Sequence, residues 1–440
     1  MRVALIMVKA DSFSYKNRPF VMRKMPDSLT LGMLFAIIKN NFPDIEVEIF
    51  DETVETIDLD SIHADLIGIS AITPTFNKAK KYADYFKEKK IPVFIGGTHA
   101  TLAPESCAEN FDSVIVGLAN ESLVNLINDF KQNNLQKFYY QNPNMSFENF
   151  VHPNRKIYEE KSFWGTELNM VQATFGCGNI CEFCVQPYVC NGYHQRPVND
   201  VIEEIEKIES EEIEFYDPNL AKDIKYLTEL CNGLIPLRKK WFAPMTISVA
   251  YNENLLELLQ KAGCTGVLIG FESINDNSIT AINKGFNKIE HYIEAVTRFH
   301  KYNIEVTGSF VLGLDGDDLA TPTKLIKFLK DSKIDFPRFT INTPYPGTKY
   351  YERMKTENRI IIDDLSKYDC RHCVIKPNLI TPEDVENMYK KLWKETYSLK
   401  NTISRLSYIK SPIKRLKKII QNYIAGKAYI KTNIEPSKVY

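Results

Sequence analysis

At 440 residues the chain is long enough for about two or three domains of ordinary size. Its residues are 44% apolar, 25% charged and 12% aromatic, ordinary globular usage that excludes a mostly disordered, collagen-like or low-complexity chain. The net charge of −1 hides a gradient: residues 401–440 carry nine Lys/Arg against Glu435 alone, +8, which leaves −9 for residues 1–400 and argues against a uniformly basic nucleic-acid binder.

The first apolar run, Val3–Val8, is too short for a signal-peptide core, and no stretch approaches the roughly 18 to 20 apolar residues of a membrane span. A soluble, cytoplasmic protein is expected. To about residue 135, short apolar runs alternate with helical patterns. Strands are predicted over Arg2–Val8, Glu46–Asp51, Asp65–Ala71, Pro92–Gly96 and Ser113–Val116, and helices over Leu31–Asn41, Lys78–Lys90 and Glu121–Gln132. This is the pattern of a doubly wound parallel sheet, Rossmann- or flavodoxin-like, whose ligands bind at the carboxyl ends of the strands. Those ends carry Ser70 through Thr73, Gly96-Gly97-Thr98-His99 and Gly117. Residues 136–165 read as a linker with little regular structure.

The alternation resumes over 166–350. Strands are predicted at Asn169–Ala173, Ile213–Tyr216, Met245–Ala250, Val267–Phe271, Val306–Leu312 and Phe339–Asn342. Between the first two lies a helix over 200–209, capped by Asp200 or Asn199. Six strands, the first five each followed by a helical pattern, predict a partial (βα)6 barrel with its chemistry at the strand C-termini. Residues 351–440 read as a helical extension, notably Pro382–Leu399, ending in the basic tail.

The cysteines are unevenly spread: four of nine fall within residues 177–190. In a chain without an export signal, this points to metal ligation rather than disulfides. Cys177, Cys181 and Cys184 form C-x3-C-x2-C directly after a strand. Three such thiolates can hold three irons of a cubane cluster and leave the fourth open to substrate. Cys190, six residues on, is the candidate for a fourth ligand. Structural zinc would favour two separated pairs.

The loop, with Phe183 before the last cysteine, resembles that of the radical S-adenosylmethionine (SAM) superfamily. The likeness extends to Gly270-Phe271-Glu272-Ser273, Tyr216-Asp217, Asn283-Lys284-Gly285, Gly308 to Gly313, Thr343 to Thr348 and Arg196. It implies a [4Fe–4S] cluster on Cys177, Cys181 and Cys184 whose open iron chelates SAM. It also implies a 5′-deoxyadenosyl radical made by one-electron cleavage. SAM contacts are expected from Phe183, Tyr216, Asp217, Ser248, Gly270 and Glu272, with Tyr216-Asp217 near the amino group. A cation bearing a carboxylate calls for acidic groups in a desolvated cavity.

Ser70-x-x-Thr73, Gly96-Gly97-x-His99 and Gly117-x-x-x-Glu121 are similar to the cobalamin-binding domain of B12-dependent radical SAM enzymes, as is Pro153-Asn154-Arg155. The resemblance implies cobalamin contacts from Ser70, Thr73, Gly96, Gly97, His99, Gly117 and Glu121. The D-x-H-x-x-G histidine that ligates cobalt in many such modules is absent; neither His63 nor His99 fits it. The implied function is C-methylation of an unactivated carbon in a metabolite, lipid or peptide, with flavodoxin or ferredoxin as electron donor. Rival readings are a cyclase or rearrangement enzyme of the same group, a methylthiotransferase (which needs three N-terminal cysteines where only Cys107 stands) and a non-catalytic sensor.

Smaller signals complete the reading. Cys370-x-x-Cys373 reads as a strand-edge pair with incidental thiols. The tail places Ile413, Leu416, Ile419, Ile420 and Ile424 opposite Lys414, Arg415, Lys417 and Lys418, a basic amphipathic helix suited to an anionic membrane or to the acidic body.

Overall fold

The computed structural model describes residues 1–10, 29–148, 150–158, 168–285 and 287–434. Part of the expected linker (159–165), the expected start of the barrel (166–167) and the last six residues of the basic tail lie outside these.

The first sheet contains β1 (Arg2–Met7), β2 (Glu46–Asp51), β3 (Leu66–Ser70), β4 (Val93–Gly96), β5 (Ser113–Val116) and β6 (Phe138–Tyr140). All are parallel, in the order β2-β1-β3-β4-β5-β6. Both faces are covered, which is why β1 reads as an unbroken apolar run. Val3 and Leu5 join a core with the helices Thr30–Asn41 and Ala119–Lys131, while Ala4 and Ile6 join a second core with the helix Phe76–Glu88. Strand order reverses between β1 and β3, the place where such sheets open a ligand crevice.

β6 corrects the linker expectation. Val114 donates its N–H to the Lys137 carbonyl and Gln141 to that of Val116, so three residues extend the sheet on the free edge of β5. A strand this short, beside polar neighbours, shows no periodicity in sequence; the edge hydrogen bonds define it.

The second sheet contains β7 (Met170–Val171), then, beyond the small antiparallel pair β8 (Thr174–Phe175) and β9 (His194–Gln195), β10 (Glu212–Phe215), β11 (Lys240–Met245), β12 (Cys264–Glu272), β13 (Glu305–Leu312) and β14 (Phe336–Ile341). Its order, β14-β13-β12-β11-β10-β7, is sequential and wholly parallel, with β7 and β14 as free edges. This is the expected six-stranded partial barrel. One boundary shifts: the expected strand Met245–Ala250 is β11 followed by a 3-10 turn, Ile247–Tyr251. The helix after β9 spans Val198–Glu206 and neither Asn199 nor Asp200 caps it; Asp200 pairs with Arg196 instead, Nη2 to Oδ2 at 2.6 Å.

The connecting segment braces the two sheets. Asn154 donates its N–H to Gly32 of the first domain, and Arg155 donates to the Met170 carbonyl at 2.8 Å and pairs with Glu204. In the extension, the helix Pro382–Thr396 starts on a Thr381/Asp384 capping box and sets Trp393 edge-on against Phe339 of β14. It stops at Thr396, short of the expected Leu399, because Ser398 caps the next helix, Leu399–Arg405.

Candidate active site

The cysteine loop is held from three sides. Below it, the buried Asp217 accepts hydrogen bonds from the Ala173 and Thr174 N–H groups and from the Thr174 hydroxyl at 2.6 Å. Burial outweighs these bonds and raises the Asp217 carboxyl to about 6. From the side, Arg353 grips Glu182 with two bonds, 2.7 and 2.9 Å. From the segment after β12, Ile282 receives the Glu182 N–H and Asn283 donates to the Ile180 carbonyl.

Cys177, Cys181, Phe183 and Cys184 line a cavity of about 190 Å³ over the carboxyl ends of β10 to β13. Among the described residues, no three metal-ligating side chains converge on one ion-sized point. The thiols instead line a common wall, as ligands to separate irons of a cubane must. Burial raises the Cys181 pKa and pushes the Cys184 thiol up to about 11, so both need adjacent positive charge to ionise, which iron would supply.

Across the cavity stands Glu272, at the end of β12. Its φ is +62°, a left-handed conformation that costs a side-chain-bearing residue about 1 to 2 kcal/mol. The strain coincides with a register break between Gly270 and Glu272 that turns the carboxylate inward. There it meets Lys284 Nζ at 2.5 Å, both side chains nearly buried. Burial opposes the Lys284 charge, but Glu272 and the Cys181 and Cys184 sulfurs outweigh it and hold its pKa above the ordinary value. At Gly270 a Cβ would lie 2.2 Å from Glu272 Oε1 and 2.7 Å from Lys284 Nζ, so a side chain there would displace the ion pair; the Gly270 carbonyl accepts from Asn287 at 2.9 Å. Asn219 also lines the cavity, buried, with its Oδ1 lacking a hydrogen-bond partner. A paired cation and anion plus an unsatisfied acceptor suit a zwitterionic ligand that also bears ribose hydroxyls.

A second cavity, about 310 Å³, opens between the two sheets. Ser70, Gly96, Gly97 and Gly117 form its first-domain rim, with Met33 and Ile37 behind; Phe175, Cys190, Arg196 and Tyr216 face them. Gly97 has φ +98°, and a Cβ there would meet the Ala71 carbonyl at 2.7 Å, so the chain turns with its backbone bare toward the cavity. Among the described residues, no histidine lines it. The mostly apolar lining and bare rim fit a large flat corrin held without an imidazole ligand. Gln186 and Pro218 line both cavities, which share that wall.

Several sequence-based assignments change. Tyr216 lies in the larger cavity and Asp217 beneath the cysteine strand, so neither lines the thiol cavity; β10 ends one residue earlier than expected and its loop turns Asn219 inward instead. Ser248 is exposed on the 3-10 turn, bonded to Thr246. Thr73 and His99 are buried under the rim, joined at 3.1 Å, and Glu121 is exposed and bonded to Asn142. Cys190 does not line the thiol cavity: the short helix Gln186–Val189 carries it into a cluster with Phe147, Phe150 and Phe175. Cys370 sits against the Tyr345 hydroxyl at 3.0 Å and forms no disulfide with Cys373. The sequence does not single out Lys284, Asn287 or Asn219 as site residues, although Lys284 stands inside the Asn283-Lys284-Gly285 motif and Asn219 lies two positions beyond Asp217.

Comparison with known proteins covers the same two regions of the chain. A model of the radical SAM superfamily matches residues 171–329, and one of the B12 binding domain matches residues 35–127. The chain is 29% identical over 387 residues to bacteriochlorophyllide d C-12(1)-methyltransferase of Chlorobaculum tepidum, covering 84% of this chain and 82% of that protein. It is 24% identical over 375 residues to the anaerobic magnesium-protoporphyrin IX monomethyl ester cyclase of Cereibacter sphaeroides, covering 76% and 61%. Its fold superposes on that of the cobalamin-dependent SAM radical enzyme OxsB, solved with aqua-cobalamin and SAM, with TM-score 0.71 at 15% identity, over 98% of this chain and 71% of the other. The chain therefore belongs to the radical SAM enzymes that carry a B12-binding domain, with a [4Fe–4S] cluster, SAM and cobalamin as cofactors.

Proposed function

We propose that the protein transfers a methyl group from SAM, by way of cobalamin, to an unactivated carbon of a small molecule. The observation that carries this reading is the wall of Gln186 and Pro218 shared by the two cavities. Cys177, Cys181 and Cys184 hold the cluster. Glu272 and Lys284 orient the charged end of SAM, Asn219 accepts from one of its polar hydrogens, and Gly270 leaves room for both. The bare rim at Gly96, Gly97 and Gly117 seats the corrin. Bound there, the cluster and SAM supply a hydrogen-abstracting radical, and cobalamin supplies the methyl group. The chain's own part is orientation, exclusion of water and charge balance.

The substrate carbon enters where the two cavities meet, and electrons arrive from a small carrier such as flavodoxin or ferredoxin. Methyl-named relatives favour transfer over cyclisation. The test is anaerobic incubation of the reconstituted enzyme with SAM and substrate extracts. Methyl transfer yields both 5′-deoxyadenosine and S-adenosylhomocysteine, the second only when cobalamin is present. Production of 5′-deoxyadenosine alone, with no cobalamin-dependent S-adenosylhomocysteine, would assign the chemistry to cyclisation or rearrangement.

A further inference from the structure

The final described helix, Pro412–Asn433, is fastened to the body by one face. Asn422 is buried and accepts from Arg405 Nη2 at 2.7 Å. Gly426 lies so close to Tyr397 that a Cβ would come within 2.5 Å of its ring. Tyr429 packs against Trp393 at 5.3 Å, Lys418 pairs with Glu305 at 2.5 Å, and Arg371 donates to the Thr432 carbonyl. The acidic body thus engages this helix through Lys418, the small or polar face and the late apolar residues Tyr429 and Ile430, not through the apolar side chains of its first half.

Those point the other way. Ile413 is 81% exposed, Leu416 59%, Ile420 50%, Tyr423 40% and Ile424 59%. Their spacing makes one continuous stripe along about 17 Å of the first half of the helix. Lys410, Lys414, Lys417 and Lys427 are exposed beside it. Among the described residues no helix is long and apolar enough to cross a membrane. An aqueous surface with single apolar residues is ordinary; a stripe of five, bordered by lysines and held outward by a docked opposite face, is the composition of an interfacial helix.

We propose that this helix seats the enzyme on an anionic lipid surface, with the apolar stripe in the headgroup boundary and the lysines on lipid phosphates. Charge complementarity selects this occupant. A second copy of the chain would bring the same lysines face to face, and the tail is +8 where the rest of the chain is −9. The proposal is independent of the methyl-transfer reading.

The test is flotation of the full-length reconstituted enzyme with vesicles of phosphatidylglycerol or of phosphatidylcholine. Binding is expected to the anionic vesicles, weakly to the neutral ones, and to fall with salt. Near an anionic surface each lysine is worth about fivefold in partitioning, so K414Q/K417Q is expected to bind about 25-fold less. I420N/I424N is expected to lose most of the remaining affinity. Both pairs are solvent-facing and remote from the cofactor cavities, so cobalamin-dependent and SAM-cleaving activity in solution should match the parent and report an intact fold. The proposal is overturned if the parent does not float with anionic vesicles, or if both variants float as well as it does. It is also overturned if ultracentrifugation shows a dimer that I420N/I424N disperses without any vesicle binding, which would assign the stripe to self-association.

Discussion

The two parallel sheets solve opposite electrostatic problems. At the end of the second sheet, charge is concentrated: a buried Glu272–Lys284 pair, an unsatisfied Asn219 and three thiols share about 190 Å³. At the end of the first, Ser70 and bare glycine backbone face a mostly apolar space of about 310 Å³, and the buried His99 is tucked beneath the rim. One end offers a ligand charge, the other chiefly shape. Strand order matches the difference. A reversal at β1/β3 opens a crevice wide enough for a flat ring, whereas the sequential second sheet gathers four strand ends around a small polar hollow.

The sharpest way to break this contrast is to remove a thiol from each cavity. Cys181→Ala should abolish the cluster's visible absorption and SAM cleavage and leave iron at background, while Cys190→Ala should retain all three. Iron analysis and absorption spectra decide, and loss of the cluster in Cys190→Ala would refute the assignment of ligands. Next in size, Gly97→Val introduces a side chain at φ +98° against the Ala71 carbonyl and should lower cobalamin binding by at least about 100-fold, while the thiol cavity still takes up iron. Cobalamin retained after gel filtration is the readout.

On the charged side, Lys284→Met strands a nearly buried carboxylate, a loss worth about 3 to 5 kcal/mol where a buried pair is broken. Part of that falls on folding. We expect SAM affinity to drop about 10- to 100-fold in equilibrium binding, with cobalamin affinity unchanged. Equal losses for both ligands would show that the cavities are not separable.

The smallest effect concerns His99. Burial, aided by Lys80, lowers its pKa from 6.5 to about 4. The folded chain therefore keeps it neutral, while the unfolded chain takes up a proton below pH 6.5. Stability is full above 6.5 and declines as pH falls toward 4, by about 3 kcal/mol from this group. Denaturant unfolding of the cofactor-free protein should show that decline, and His99→Phe should flatten it.

Local spacing made part of this site legible. Cys177, Cys181 and Cys184 are close in sequence and stay close in space, and Glu272 stands at a strand end that the apolar run Val267–Phe271 announces. What sequence could not convey depends on how loops turn. The bend after Phe215 exchanges Asp217 for Asn219, and four residues of helix carry Cys190 out of the thiol cavity although it is only six positions from Cys184. Lys284 reaches Glu272 across a register break that no periodicity encodes. The fold followed the same rule: long buried strands such as β12 and β13 were evident, and three-residue β6, defined by edge hydrogen bonds, was not.

The most direct test is electron paramagnetic resonance of the reduced, reconstituted protein before and after SAM is added. Three thiol ligands leave one iron open, so SAM should change the cluster's spectrum in the parent and in Cys190→Ala alike, and Glu272→Gln should raise the SAM concentration needed. A spectrum that SAM leaves untouched, or that responds only once Cys190 is removed, would contradict an open iron facing Glu272 and Lys284.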